Sequence, residues 1–173
     1  MIRIAEKAQA GPGFDDPIGL LGACHERIEG HCATLVRLKA HVRTRGFDSE
    51  ACQAADRVLA YFAEAGRWHH EDEERNLAPL LGQRADPALL SVLTQLMAQH
   101  RDLEAAYAPL AAALTSRDAN DLPVEAYVDL MRAHMETENS VLLPAARRLL
   151  TAAEVETLGT AMAERRGVKR GAL

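Results

Sequence analysis

Apolar residues recur at intervals of three and four along four long stretches of the chain, which is the spacing of one buried face on an α-helix. Short segments rich in Gly, Pro, Asp and Ser separate these stretches. Because short connections make successive helices antiparallel neighbours, we predict an all-α fold, an up-down-up-down four-helix bundle with a short fifth C-terminal helix. The predicted helices span about 17–45, 49–81, 87–115, 123–150 and 151–167.

Capping signals mark where several of these helices begin. Asp16-Pro17 and Asp86-Pro87 each offer an N-cap side chain followed by proline at the first helical position. A capping-box pattern opens the short fifth helix. From these signals we assign one domain to 16–167, an N-terminal extension to 1–15 and a flexible tail to 168–173.

Histidine interrupts the apolar stripe of every long helix, and on the second and fourth helices glutamate follows it four positions later. His25 lies 20 residues before Arg45, and His69 lies 20 residues after Ser49. In an antiparallel pair they are therefore opposite one another, each ~30 Å from the shared turn. Counting residues from the other two turns in the same way places the remaining histidines and glutamates of the stripes at the same height in the bundle. The candidate metal ligands are His25, His69, Glu73, His100, His134 and Glu138.

This set of side chains has the chemistry of a metal site. Histidine and glutamate at i and i+4 share one helix face, so both can reach the same cluster. Two buried carboxylates among neutral imidazoles are costly without a counter-charge, which a pair of divalent cations supplies. Imidazole together with carboxylate suits iron, manganese or zinc.

One choice of helix face is left open by the spacing. His70 and Glu74 repeat the i,i+4 spacing of His69 and Glu73, but their face of the helix is less apolar. We therefore favour His69 and Glu73 as ligands and interpret His70 as a neighbour of the ligands. The positions interpreted as a solvated flank are Glu71, Asp72 and Glu74.

The other histidines and the cysteines are predicted to lie outside the site. His31 and His41 are expected to be ordinary, partly exposed residues, because neither falls in the layer. Cys24 and Cys32 are eight positions apart on one helix, so a rise of ~12 Å prevents a disulfide between them. We expect free buried thiols.

Charge and hydropathy exclude several classes of partner. The net charge is −5 and no long basic stripe is present, so we predict no nucleic-acid binding. No apolar run reaches the roughly 20 residues that a membrane-spanning helix needs. The first 14 residues contain Arg3, Glu6 and Lys7 and lack the apolar core of a secretory signal. We therefore expect a cytoplasmic protein with no membrane partner.

Two phrases of this sequence resemble the hemerythrin-like (HHE cation-binding) domain family. The first is HHEDEERNLAPLL from His69 onward, and the second is HMETENSVLLPAA from His134 onward. Asp16-Pro17-Ile18, the segment CHERI that contains His25, and His100 continue the resemblance over about residues 16 to 150. The full pattern of His, His-x-x-x-Glu, His and His-x-x-x-Glu is much more specific than any one piece.

The resemblance implies a four-helix bundle that holds two iron ions as a non-haem centre with oxo and carboxylate bridges. It implies that Glu73 and Glu138 bridge the irons. It also implies that one iron is bound by His25 and His69, and the other by His100 and His134.

The sequence departs from the oxygen-carrying hemerythrins in two places. Those proteins have His-x-x-x-His on the third helix, where this chain has His100-x-x-x-Glu104, and His-x-x-x-x-Asp on the fourth, where it has His134-x-x-x-Glu138. The six-ligand pattern is closer to the di-iron domain of the nitric-oxide-stress iron-centre repair proteins, without their Cys-rich N-terminal segment. Glu104 is left open as a seventh ligand, a partner of the ligands or a solvated residue.

These observations favour a di-iron protein that binds or senses a small oxidant, namely dioxygen, nitric oxide or peroxide. The alternatives are a di-iron oxidoreductase acting on peroxide or nitric oxide, and an iron-storage or interaction module without turnover. A sensor needs something to report its signal, so we expect a homodimer or a separate signalling partner.

Overall fold

The computed structural model describes residues 11–120 and 122–168. Over these residues the chain is helical and contains no strand, which confirms the predicted all-α bundle. Residues 1–10 and 169–173, which hold most of the predicted extension and tail, lie outside the described residues. The helices are α1 (Pro17–Arg45), α2 (49–82), α3 (Pro87–Ser116), α4 (124–149) and α5 (Ala152–Arg165). None of the described helices is long and apolar enough to cross a membrane.

The predicted capping residues begin the helices. The Asp16 carboxylate accepts a hydrogen bond of 3.0 Å from the Gly19 amide, and Asp86 accepts one of 2.8 Å from Leu89. Thr151 and Glu154 form the reciprocal capping box that opens α5. Such caps satisfy amides that have no partner inside the helix, and each contributes about 1 kcal/mol.

Helices α2 and α4 are interrupted by wider π turns. α2 consists of the α segments Ser49–Tyr61, Arg67–Asp72 and Ala78–Gly82, joined by the π segments Phe62–Gly66 and Glu73–Leu77. α4 consists of Val124–Thr137 and Leu143–Leu149, joined by the π segment Glu138–Leu142.

A proline follows two of the three π turns described, those at Glu73 and Glu138. Pro79 and Pro144 each stand six residues after one of these glutamates. Proline has no amide hydrogen, and its ring clashes with the carbonyl four residues earlier. The backbone widens before each proline, so that the Glu73 carbonyl accepts from the amide five residues ahead, at Ala78. π turns occur often at functional sites because they change the direction of a side chain.

Two apolar clusters fill the bundle, one at each end. One includes Ile28, Leu35 and Leu103, and the other includes Leu21 and Leu77. Along α1, His25 lies between Leu21 of one cluster and Ile28 of the other. The polar residues of the interior therefore form a layer between two apolar ends.

Helix α5 docks on α2 through a buried ion-pair network, and this corrects the sequence interpretation of Asp72. Asp72 is completely buried rather than solvated. Its carboxylate accepts hydrogen bonds from Arg165 and, at 2.7 Å, from Arg166, both near the end of α5. Arg165 also donates to Asn76 at 2.8 Å. The prediction was wrong because the helical period of α2 gives no information about a helix that packs on its outer side.

We expect Asp72→Ala to lower the free energy of unfolding by about 2 kcal/mol or more, because it removes the carboxylate partner of Arg166 at a desolvated interface and leaves Arg165 only its pair with Glu71, at 3.2 Å. Chemical denaturation of the two proteins measures this. Glu64→Ala is the control, since Glu64 is an exposed residue of the same helix, and it should change stability by less than about 0.5 kcal/mol. Equal effects of the two substitutions would contradict a stabilising role for the network.

Candidate metal centre

The structure brings all six predicted residues together in the layer between the two apolar clusters. α1 supplies His25, α3 supplies His100, and α2 and α4 each supply a histidine and a glutamate. All six side chains are buried. They form two groups of four whose potential ligand atoms lie within 4.8 Å of one another, and both groups contain both glutamates.

The first group is centred on His25 and His69. Their Nε2 atoms are 3.1 Å apart. Oε2 of Glu138 lies 3.2 Å from Nε2 of His25, and Oε1 of Glu73 lies 3.4 Å from Nε2 of His69. Two imidazole nitrogens and two carboxylate oxygens therefore converge on one point.

The second group repeats this arrangement with His100 and His134. Their Nε2 atoms are again 3.1 Å apart. Oε2 of Glu73 lies 3.4 Å from Nε2 of His100, and Oε1 of Glu138 lies 3.0 Å from Nε2 of His134. Each carboxylate thus directs one oxygen to each group, which is the arrangement of a carboxylate that bridges two cations.

The buried carboxylates lack the partners that burial requires. None of the four oxygens of Glu73 and Glu138 has a hydrogen bond of acceptable geometry, and neither does Nδ1 of His69. A buried charged group without a partner is strongly destabilising. Two cations between the groups would neutralise both carboxylates and use all four oxygens as ligands. The donor set therefore fits the metal pair that the sequence suggests.

The pKa values of the two buried glutamates are shifted in opposite directions. Burial, followed by the charge of Glu138, raises the pKa of Glu73 well above its ordinary value. Burial also acts to raise the pKa of Glu138, but the close imidazoles of His134 and His25 outweigh it and hold that pKa well below the ordinary value. Potential ligand oxygens of the two carboxylates lie within 4.8 Å of one another. Two carboxylates this close do not both ionise readily without a cation between them.

Burial also keeps two imidazoles neutral. Burial, followed by the neighbouring His25, holds the pKa of His69 well below its ordinary value. Burial, followed by His100, lowers the pKa of His70 to about 3. Neutral imidazole is the form that binds a metal.

The outer nitrogens of His25 and His100 are held by matching contacts. Nδ1 of His25 lies 2.7 Å from Oδ1 of Asn139, and Nδ1 of His100 lies 2.8 Å from Oε1 of Glu74. Because these oxygens accept, Nδ1 carries the hydrogen and Nε2 is left free to bind a cation. Glu74, predicted to be on a solvated flank, thus contacts a candidate ligand, and Asn139 was not predicted, although each immediately follows one of the two buried glutamates.

A third such contact orients His134. Its Nδ1 lies 2.9 Å from Oε1 of Gln99, which directly precedes His100 on α3. The sequence analysis did not single out Gln99, and the adjacent histidine was the only local signal. Three of the four ligand imidazoles are therefore fixed in the orientation and tautomer that metal binding needs.

His69 as the ligand stays a prediction, since His70 forms a third group of potential ligand atoms with His100 and His134, but the two histidines differ in position. His69 and Glu73 are buried in the layer, whereas the Glu74 side chain is 45% exposed. His70 stacks on His100, with ring centroids 4.1 Å apart and an interplanar angle of 13°. His70 therefore lies beside the ligands, on the side of α3.

A half-open cavity of about 400 Å³ lies between α2 and α3 on the same side. His70, Glu74, Glu104 and Tyr107 are among its lining residues. Glu104 is exposed and belongs to neither group of potential ligands. Glu104 therefore has the position of a solvated residue at the wall of this cavity, which is one of the three roles that the sequence leaves open for it.

The side chains that were expected outside the layer are outside it. His31 stacks on Tyr61 with ring centroids 4.0 Å apart, and Nε2 of His41 lies 2.8 Å from the Asp48 carboxylate. The cysteines are free thiols. Burial raises the pKa of Cys24 above its ordinary value, so this thiol beside His25 stays protonated at neutral pH.

The comparisons with known proteins agree with this geometry. The family model of the hemerythrin HHE cation-binding domain matches residues 16–146. The chain is also 26% identical, over 162 residues, to an uncharacterized protein of Haemophilus influenzae, and the match covers 90% of this chain and 93% of the relative. The matched segment includes α1, α2, α3, all but the last three residues of α4, and all six buried histidines and glutamates, and the chain therefore belongs to the hemerythrin HHE cation-binding domain family.

Proposed function

We propose that this protein holds two iron ions in the layer and uses them to bind or sense a small oxidant, namely dioxygen, nitric oxide or peroxide. The observation that carries this proposal is the sharing of both carboxylates by two pairs of imidazoles. In this assignment His25 and His69 bind the first metal, and His100 and His134 bind the second. Glu73 and Glu138, which each direct one oxygen to either pair of imidazoles, would help to hold both metals.

The number and placement of the donors support a pair of cations over a single one. There are two groups of potential ligand atoms, and each offers two imidazole nitrogens and two carboxylate oxygens. Mixed nitrogen and oxygen donors suit iron, and manganese or zinc are the alternatives. Four protein donors to a six-coordinate ion leave positions for a bridging oxygen and for a ligand from solution.

The purified protein should contain two metal ions per chain, mainly iron, because one ion would leave half of the carboxylate oxygens without a partner. Elemental analysis after expression in iron-replete medium, together with an optical spectrum, measures this. Reconstitution of metal-free protein with ferrous iron under argon provides the control for incomplete loading. Folded protein that neither contains nor takes up a transition metal would refute the proposed function.

Exposure to air should oxidise the reduced, iron-loaded protein rapidly and irreversibly. On the third helix, the exposed Glu104 stands where oxygen carriers have a second histidine ligand. One metal would therefore have one imidazole donor fewer than in those carriers. Stopped-flow mixing of anaerobic protein with air-saturated buffer measures this reaction. A spectral change that reverses when oxygen is removed would instead indicate an oxygen carrier. Glu104→His should slow the oxidation.

An oxidoreductase acting on peroxide or nitric oxide is the second candidate, and the cavity between α2 and α3 favours it. Tyr107 lines this cavity, and burial raises its pKa to about 12, so its hydroxyl keeps its proton at neutral pH and can donate a hydrogen bond to a molecule in the cavity. Turnover of peroxide or nitric oxide distinguishes an enzyme from a sensor. A sensor would show a single binding event and would need a second copy of the chain or a separate protein to report it.

A further inference from the structure

The candidate metal centre has an approximate internal twofold symmetry. A shift of 65 residues relates His69 to His134 and Glu73 to Glu138, and the π segments Glu73–Leu77 and Glu138–Leu142 coincide under the same shift. The contact of His25 with Asn139 has its counterpart in the contact of His100 with Glu74. The two metal positions are thus built alike by the residues that would bind the metals.

The symmetry breaks at the side chain that follows the histidine of α2 and of α4. On α2 this residue is His70, and on α4 it is Met135. A neutral imidazole donates one hydrogen bond and accepts another, whereas a thioether donates none. His70 lines the cavity between α2 and α3, whose lining includes none of the six candidate ligands. Met135 lines a larger cavity of about 840 Å³ between α1 and α4, which also reaches His25.

A second difference concerns the arginine at the wall of each cavity. Arg132 of α4 makes a two-pronged ion pair with Glu29 of α1, at 2.6 and 3.0 Å, which ties the two walls of the α1–α4 cavity together. Its counterpart on α2, Arg67, pairs at 2.7 Å with Glu71 of its own helix. This arginine therefore does not tie α2 to α3.

The orientation of His70 argues against its being a ligand itself. A ring nitrogen of His70 lies within 4.8 Å of potential ligand atoms of His100 and His134. However, a metal lies in the plane of an imidazole that binds it. Because His70 stacks almost parallel on His100, it cannot direct its lone pair at an ion held in the plane of His100. Its N–H group is close enough to contact a molecule bound beside that ion.

We propose that the external small ligand binds at the His100–His134 position, enters through the cavity between α2 and α3, and is held there by a hydrogen bond from His70. His70 is in this view a positioning residue at one of two metal positions, which also differ in the outer nitrogen of the α2 and α4 histidines: Nδ1 of His134 contacts Gln99, whereas Nδ1 of His69 has no hydrogen bond. The inference rests on the proposed function, because it requires metals in the layer. Beyond the proposed function, it specifies which metal position binds the ligand, from which side the ligand enters, and which residue holds it.

Azide binding to the oxidised, iron-loaded protein tests the role of His70, with affinity measured from the optical spectrum. His70→Leu should keep two metals per chain and weaken azide binding roughly tenfold or more, as expected for losing a hydrogen bond to a charged group. His70→Gln, which keeps an N–H donor, should restore much of the affinity. Met135→Leu at the symmetry-related position is the matched control and should bind azide as the unchanged protein does.

Two results would overturn the role of His70. Unchanged azide affinity in His70→Leu would show that His70 does not contact the ligand. Loss of a metal ion from His70→Leu would show that His70 is a metal ligand and not a positioning residue. Failure of the unchanged protein to hold metals is a separate result, which would refute the proposed function itself and is seen in the elemental analysis alone.

The entry route is tested by narrowing each cavity in turn. Ala63 lines the cavity between α2 and α3, and Ala23 lines the cavity between α1 and α4. Ala63→Trp should slow azide association severalfold in stopped-flow experiments, with metal content unchanged, and Ala23→Trp should leave the rate as it is. Slower association in Ala23→Trp alone would place the entry route on the opposite side and overturn this part of the proposal.

Discussion

Replacing Glu73 by alanine should reduce the metal content of the purified protein from two ions to less than one per chain. Glu73 directs one oxygen to each imidazole pair, so its removal takes a donor from both positions and the bridge between them. It also removes half of the negative charge that favours cations in the layer. We expect the affinity for iron to fall by at least about a hundredfold, because even residues that only support metal ligands typically contribute 10–100-fold. Elemental analysis and an iron titration measure the effect.

Glu74→Ala is the matched control, because Glu74 has the same chemistry and is the next residue in the chain. Its carboxylate holds the outer nitrogen of His100 but is 45% exposed and is absent from both groups of potential ligands. It should keep two ions per chain at saturating iron, with affinity reduced by roughly tenfold. His31→Gln should also keep both ions. Greater metal loss in Glu74→Ala than in Glu73→Ala would mean that the wrong face of α2 is assigned to the metals.

Removing the metals should lower the melting temperature by about 10 °C or more at neutral pH. A ligand that binds only the folded state stabilises it by about 4 kcal/mol when present at a thousand times its dissociation constant, and two ions add their contributions. For a domain of this size each kcal/mol corresponds to about 2–4 °C. Thermal melts of loaded and chelator-treated protein measure the difference. Equal melting temperatures would argue against metal binding at the buried carboxylates.

Acid should diminish this difference because protons compete with the metals for the imidazoles, and through His69 it should also destabilise the metal-free fold. The pKa of His69 is held well below its ordinary value by burial and by His25, whereas in the unfolded chain histidine takes up its proton near pH 6.5. The unfolded state therefore binds more protons as the pH falls below about 6.5, and stability decreases in that direction. Thermal melts and metal analysis at pH 7.5, 6.5 and 5.5 test this. Protein that still holds all its metal at about pH 4 would contradict a histidine-rich site.

The sequence by itself determined the helices and the level of the polar layer. The three-and-four spacing defines which face of each helix is buried, and the caps at Asp16 and Asp86 define where two of them begin. Because helix rise is constant and the turns are short, counting residues from each turn placed the six histidines and glutamates at one height. Pro79 and Pro144 follow the π turns at Glu73 and Glu138, but Pro109 lies inside the regular helix α3, so a proline in the sequence does not by itself predict such a turn.

Only the tertiary structure decided what surrounds this layer. Asp72 reads as a solvated residue on α2 and is buried because α5 brings Arg165 and Arg166 against it. Gln99 and Asn139 lie on the same helices as ligands, but which imidazole each one contacts depends on the rotation of one helix against another. The stacking of His70 on His100 has the same origin. Helical periodicity is a property of one segment and is readable from it, whereas the packing of outer faces depends on contacts between segments far apart in the chain.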